Sequence, residues 1–141
     1  MEGTLPLQVS KRDDSSSLRL ISELQAEVFR GTSKRGTVDV DVRPLDGVLD
    51  VQKLGSPLLV KVDVQGSEAE VLKGAPNVLA KADFVYIEAS FVELYSGQEL
   101  ASDVITRILE AGFELRGVYN ADYHSGQCVQ ADFLFARKGQ N

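Results

Sequence analysis

The order of hydrophobic patterns along this chain predicts a three-layer α/β fold. Three observations carry that expectation. Two nearly continuous apolar stretches, Leu58-Leu59-Val60-Lys61-Val62-Asp63-Val64 and Phe84-Val85-Tyr86-Ile87-Glu88-Ala89, have the texture of strands covered by helices on both faces, the habit of parallel strands. Helix signals stand between them, which makes a βαβ unit. A second helical pattern and two more strand patterns follow.

The elements read in order as follows. Leu5, Leu7 and Val9 alternate with polar neighbours, and so do Val38, Val40 and Val42. Period-2 alternation marks strands buried on one face, and these two pair as an N-terminal hairpin at the edge of a sheet. The polar run Lys11-Arg12-Asp13-Asp14-Ser15-Ser16-Ser17 is a loop. Between these two strands, Leu20, Ile21, Leu24 and Val28 fit a short amphipathic helix, loosely bounded by Gly31 and Gly36. After the first buried strand, Ser67 and Glu70 spell a capping box, Val71 and Leu72 supply an apolar face, and Gly74 ends the turn in the left-handed conformation. Pro76 opens the next short helix. Leu100, Val104, Ile105, Ile108 and Leu109 share one helical face, and Gly112 stops it. Residues 113–119 form a strand, 120–127 a polar loop and 129–137 the last strand. With no helix between them, these two are antiparallel, so the sheet is mixed.

Composition bounds the function classes. The chain has 141 residues, 43% hydrophobic and 26% charged, which suits a single α/β domain over 1–141. No apolar run is long enough to span a bilayer. The opening residues show no secretory signal pattern. The one cysteine, Cys128, allows no internal disulfide and points to a reducing, cytoplasmic setting. A formal charge of −6 without a basic stripe argues against nucleic acid and anionic membrane as partners. With His124 the one histidine, sites needing several imidazoles are excluded.

In open parallel sheets ligands sit beyond the C-terminal strand ends. Asp63 and Glu88 stand there, and neighbouring strands in register would turn them into one crevice. Paired carboxylates split their pKa values, which prepares one as a general base. They also suit a hard cation, with Asp46 as a third oxygen donor. The plain alternative is that they cap turns and accept backbone amides. His124 lies in a polar loop, as a proton shuttle or an idle side chain. Cys128 has no basic neighbour and reads as an inert thiol. Gly-x-Gly occurs nowhere among the 12 glycines, Gly31-Thr-Ser-Lys-Arg-Gly36 lacks a phosphate-loop ending, and no G-x-S-x-G elbow is present.

The stretch Val60-Lys61-Val62-Asp63-Val64-Gln65-Gly66-Ser67-Glu68, continuing through Val71-Leu72-Lys73-Gly74-Ala75, resembles the signature of the FkbM-type methyltransferases. Arg43-Pro44-Leu45-Asp46, Asp14-Ser15-Ser16-Ser17-Leu18, Tyr86-Ile87-Glu88-Ala89-Ser90-Phe91, Leu94-Tyr95-Ser96-Gly97-Gln98, Gly112-Phe113 and Gln130-Ala131-Asp132-Phe133-Leu134-Phe135 match further family elements in order. The resemblance implies a partial Rossmann-like methyltransferase fold, S-adenosylmethionine as cofactor, and methyl transfer to a hydroxyl of a sugar or natural product. It implies Asp63 and Glu88 as catalytic residues, with Gln65, Tyr95, Gln98 and His124 as substrate contacts. No cofactor-binding residue is assigned and no metal is expected. The family's opening strand, glycine-rich cofactor loop and ribose-binding acid have no counterpart in these residues. The strand over 58–64 is therefore expected to show a bare edge, to be covered by a second copy or by a separate N-terminal half. The alternative is a non-catalytic remnant that associates with itself or with a partner.

Overall fold

A computed structural model describes residues 2–139, and of Asp13 the backbone alone. Met1, Gln140 and Asn141, which the single-domain expectation included, lie outside the described residues. The chain opens with β1 (Gly3–Ser10), which pairs antiparallel with β2 (Lys34–Val42), setting Leu5 against Val40 and Leu7 against Val38. They pair with each other as expected, but as a separate two-stranded sheet and not at the edge of the larger one, and the expected wet side is not kept: Gln8 and Ser10 are buried while Val38 is exposed.

Between them, the helical spacing that began at Leu20 is realised only in α1 (Glu23–Val28), where the Ser22 hydroxyl accepts from the Gln25 amide at 3.1 Å. Residues 20–22 are instead extended. Ser22 donates its amide to Leu94 and Leu20 accepts from Ser96, so this strap runs beside the segment holding Tyr95. Its backbone groups find a partner strand, and periodicity alone does not reveal such tertiary pairing.

The second sheet contains β3 (Leu59–Val62), β4 (Phe84–Ser90), β5 (Phe113–His124) and β6 (Gln127–Arg137), in the order β3-β4-β6-β5. β3 and β4 are parallel, with Val62 beside Ile87, and the remaining pairs are antiparallel. This mixed sheet with its helices is the partial Rossmann-like arrangement expected. A short α2 (Leu45–Val48) precedes β3, and α3 (Glu68–Lys73) and α4 (Pro76–Lys81) form the crossover to β4. Along β4 the residues alternate. Val85, Ile87 and Ala89 are buried, while Phe84, Tyr86 and Glu88 are half-buried. The buried face meets Phe133 and Phe135 of β6, Val78 and Leu79 of α4, and Val104 and Ile108 of α5 (Ala101–Glu110) in one core. Each large side chain sequestered there contributes about 1.5–3 kcal/mol.

Three local expectations are corrected. The capping box does not form: the Ser67 hydroxyl is buried without a partner, and Glu70 turns to Arg19 at 2.8 Å. Gly74 has φ −88°, an ordinary right-handed value, and closes α3 by donating to the carbonyls of Glu70 and Val71. The polar loop over 120–127 is mostly strand. β5 continues to His124 through bulges, and the chain reverses at Ser125 and Gly126, both with positive φ, in the manner of a two-residue hairpin turn. Bulges interrupt the two-residue period, so polar bulged residues imitate a loop.

Other signals hold. Pro76 stands in the first turn of α4, and Gly112 leaves α5 at φ +92°. Three long-range contacts lock the helices. Asp46 accepts from the amides of Asn77 (2.8 Å) and Val78 (3.0 Å), capping α4 from a distant segment. Glu99 holds Arg107 at 2.7 and 2.9 Å and Lys73 at 2.8 Å, and these cations keep its carboxyl down at about 2. Arg137 lies 4.3 Å over the Phe113 ring and donates to carbonyls of Ala82 and Leu79, tying β6 to α4.

Candidate active site

The site is built at the end of β3. After Val62 the chain passes Asp63 and Val64 and reverses through Gln65 (φ +53°) and Gly66 (φ +96°) into α3. Gly66 is required twice over. L side chains avoid this φ, and a Cβ here would lie 2.7 Å from the Tyr95 Cβ. Glu68, itself buried, accepts from the Gly66 amide at 3.0 Å and secures the reversal.

The reversal aims Gln65 across the strand ends. Its Nε2 donates to Asp63 Oδ1 at 2.8 Å and to Glu88 Oε2 at 3.1 Å. Its Oε1 accepts from the Tyr95 hydroxyl at 2.6 Å. Both amide hydrogens face carboxylates, and the carbonyl is held by a phenol whose ring is 1% exposed. The Ser17 hydroxyl donates to the Gln65 carbonyl, so the serine-rich loop clamps the same turn. Arg19 continues the clamp, donating to Glu70 and, at 2.6 Å, to the Gly97 carbonyl.

Parallel pairing therefore does what the sequence predicted: it brings Asp63 and Glu88 into one crevice of about 220 Å³. Burial, and then the negative charges of Asp63, Asp132 and Glu68, push the Glu88 carboxyl up to about 8. Asp132 sits directly across from Glu88 on β6 and accepts from Tyr86 (3.0 Å) and Asn120 (2.7 Å). Burial also raises the carboxyl of Glu68 and the phenol of Tyr95. A carboxyl poised near 8 beside a second carboxylate is suited to taking a proton from a bound hydroxyl.

The other predicted contacts separate. Gln98 is buried, and its Oε1 accepts from the amides of Leu94 (2.7 Å) and Tyr95 (2.6 Å), shaping the loop that holds Tyr95. His124 faces Glu27 of α1 at 3.4 Å and is not among the crevice residues. Asp46 caps α4, so it does not join Asp63 and Glu88 around a cation. Among the described residues no group of three or more His, Cys, Asp or Glu is placed to hold a metal ion. Cys128 is half-buried, its Sγ 3.6 Å from the Gln130 carbonyl.

Sequence reasoning missed several crevice residues. Asp14 belonged to a polar run, and Asp122 to the supposed loop. Gln25 and Gln130 are polar residues buried within a helix and a strand, and only their burial marks them. A larger cleft of about 420 Å³ lies between the hairpin and α3, lined by Leu7, Val40, Val42, Val64 and Val71 with Ser67 and Glu70. It is mostly apolar and excludes both catalytic candidates, so the smaller crevice is the chemical one.

The turn at Asp63-Val64-Gln65-Gly66-Ser67-Glu68 and the strand end at Glu88 fall within the region, residues 2–115, that matches the methyltransferase FkbM domain. The chain belongs to the FkbM methyltransferase family. Two relatives show the likeness in detail. The 2-O-methyltransferase NoeI of Sinorhizobium fredii is 41% identical over 63 residues, 45% of this chain and 26% of that protein. The hexuronic acid methyltransferase AglP of Haloferax volcanii is 34% identical over 67 residues, 48% of this chain and 28% of that protein. The match of this chain with each of them thus spans only about a quarter of the relative's length. No solved structure matches the chain. Among the described residues no helix is long and apolar enough to cross a membrane.

Proposed function

We propose that this chain is the acceptor-side portion of an S-adenosylmethionine-dependent O-methyltransferase that methylates a hydroxyl of a sugar or natural product. The observation that carries the reading is the Gln65 amide holding Asp63 and Glu88 together at the ends of parallel strands. Family membership and the two methyltransferase relatives support it. When bound, S-adenosylmethionine supplies an electrophilic methyl on a sulfonium. This chain's residues hold the acceptor: Asp63 orients the hydroxyl, and Glu88 in its ionised form takes the proton. Gln65 and Tyr95 position the two carboxyls. The resemblance assigns the glycine-rich cofactor loop to none of these residues, so most cofactor contacts come from elsewhere. Calorimetry tests this. We expect little or no heat from S-adenosylmethionine with the chain alone, and methyl transfer once a cofactor-binding half is supplied in cis or in trans. A chain that never supports transfer under either condition removes the reading.

A second reading has its own observation. β3 borders the sheet, with Leu59 56% exposed and no strand on its outer side among the described residues. We propose that this edge pairs with a second copy or with a separate N-terminal half. If S-adenosylmethionine binding and methyl transfer are absent while the chain is folded and oligomeric, a non-catalytic association module is the better description.

A further inference from the structure

The crevice that holds Asp63 and Glu88 is rich in acceptors and poor in donors. Four carboxyl side chains line it: Asp14, Asp63, Glu88 and Asp122. Arg12 is the one cation on its wall among the described residues, and its guanidinium faces Asp14 at 3.0 Å. Lys61 reaches Asp63 at 3.4 Å, with both side chains well exposed to solvent. The Nε2 of Gln65 is already shared between the carboxyl groups of Asp63 and Glu88.

An independent observation points to a ligand. Gln25 of α1 lines the same crevice and is only 3% exposed, yet its Oε1 is buried without any hydrogen-bond partner. A buried amide oxygen left unpaired costs free energy unless a donor arrives. The Oε1 therefore marks a place for an N–H or O–H group from outside the chain. At about 220 Å³ the space is below the range of drug-sized sites, so it suits one small ring or a short polyol.

We propose that the crevice takes a hydroxyl acceptor bearing a protonated amine, an amino sugar or amino polyol, and turns away carboxylated acceptors. The inference rests on reading this crevice as the acceptor side of methyl transfer. An ammonium carries three donors and no acceptor, so it complements Gln25 Oε1 and the carboxylates together. A carboxylated ring sets a like charge against the wall and brings no donor to replace it. In this respect the chain differs from a relative named for hexuronic acid.

The test titrates the isotope-labelled chain by NMR with three matched methyl glycosides, an aminoglucoside, a glucoside and a glucuronide, near neutral pH and at low salt. The expected result is shifts at Gln25, Gln65 and Asp122, and binding of the amine at least about threefold tighter than the neutral ring. That preference should shrink in high salt, and the glucuronide should not bind. Asp122→Asn, on an exposed stretch of β5, should reduce the preference. Equal or tighter binding of the neutral ring or the glucuronide at these resonances overturns the charge inference and leaves the acceptor reading standing. An Asp122→Asn chain that keeps the full preference also overturns it. Failure of all three sugars to shift the crevice overturns both.

Discussion

Two residues show how much a single side chain decides here. Gly66 combines φ +96° with a Tyr95 contact that leaves no room for a Cβ. Gly66→Ala should destabilise the chain by about 2–4 kcal/mol, from the strained φ and the overpacking together, as read by urea unfolding. Glu88 carries the functional argument, and its raised pKa has a definite sign. The carboxyl is neutral in the fold up to about 8, whereas in the unfolded chain it ionises near the ordinary 4.5. The unfolded state thus binds fewer protons across that window. Stability should fall as pH rises from about 4.5 to 8, by at most about 1.4 kcal/mol per pH unit, and level off above. Glu88→Gln should flatten that slope in melts recorded across pH. In a reconstituted enzyme, kcat/KM should climb with pH towards a plateau just above 8, and Glu88→Gln should lower it about 10²–10⁴-fold. An unchanged profile in the variant would remove Glu88 as the base.

At the scale of elements, local signals and long-range contacts divide the work. Pro76 starts α4 as its position dictates, yet the amides of its first turn are satisfied by Asp46, some 31 residues earlier. Asp46→Ala should cost about 1 kcal/mol, measurable as a lowered Tm. The Ser67/Glu70 pair makes the opposite point. Its spacing is right for a capping box, but Arg19 draws Glu70 into an ion pair at 2.8 Å, in which both partners are charged, whereas the return bond to the cap offers only a neutral amide donor. The strap over 20–22 escapes its own periodicity because its backbone partners, Leu94 and Ser96, lie far along the chain, whereas the bulged half of β5 pairs with the adjacent β6 and is disguised by bulges that break the two-residue period. Among the described residues β3 has no strand on its outer side. If its edge pairs with another chain, Leu59→Lys should weaken the association several-fold in sedimentation, since a charged edge residue discourages strand addition.

For the whole molecule, the matched relatives are about four times longer than the region they share with this chain. Within the chain, the crevice of Asp63 and Glu88 is assembled from its own segments. Sedimentation equilibrium at high concentration is the direct measurement. We expect a dimer or larger species, and a clean monomer would contradict edge pairing at β3. The sheet does not depend on that partner for its interior, since Val85, Ile87, Phe113 and Phe135 are wholly covered within the chain.

The residues by themselves determined the β-α-β-α-β-β order, the hairpin, the parallel pair and the family signature around Asp63. These follow from periodicity, punctuating glycines and prolines, and a contiguous motif, all of which are local. Tertiary structure alone decided that Gln65 bridges Asp63 to Glu88, that Tyr95 and Gly66 interlock, and that Gln25 reaches the crevice unpaired. Those facts depend on which distant segments share a volume and a dielectric, and burial and proximity of that kind leave no mark in the linear spacing of side chains.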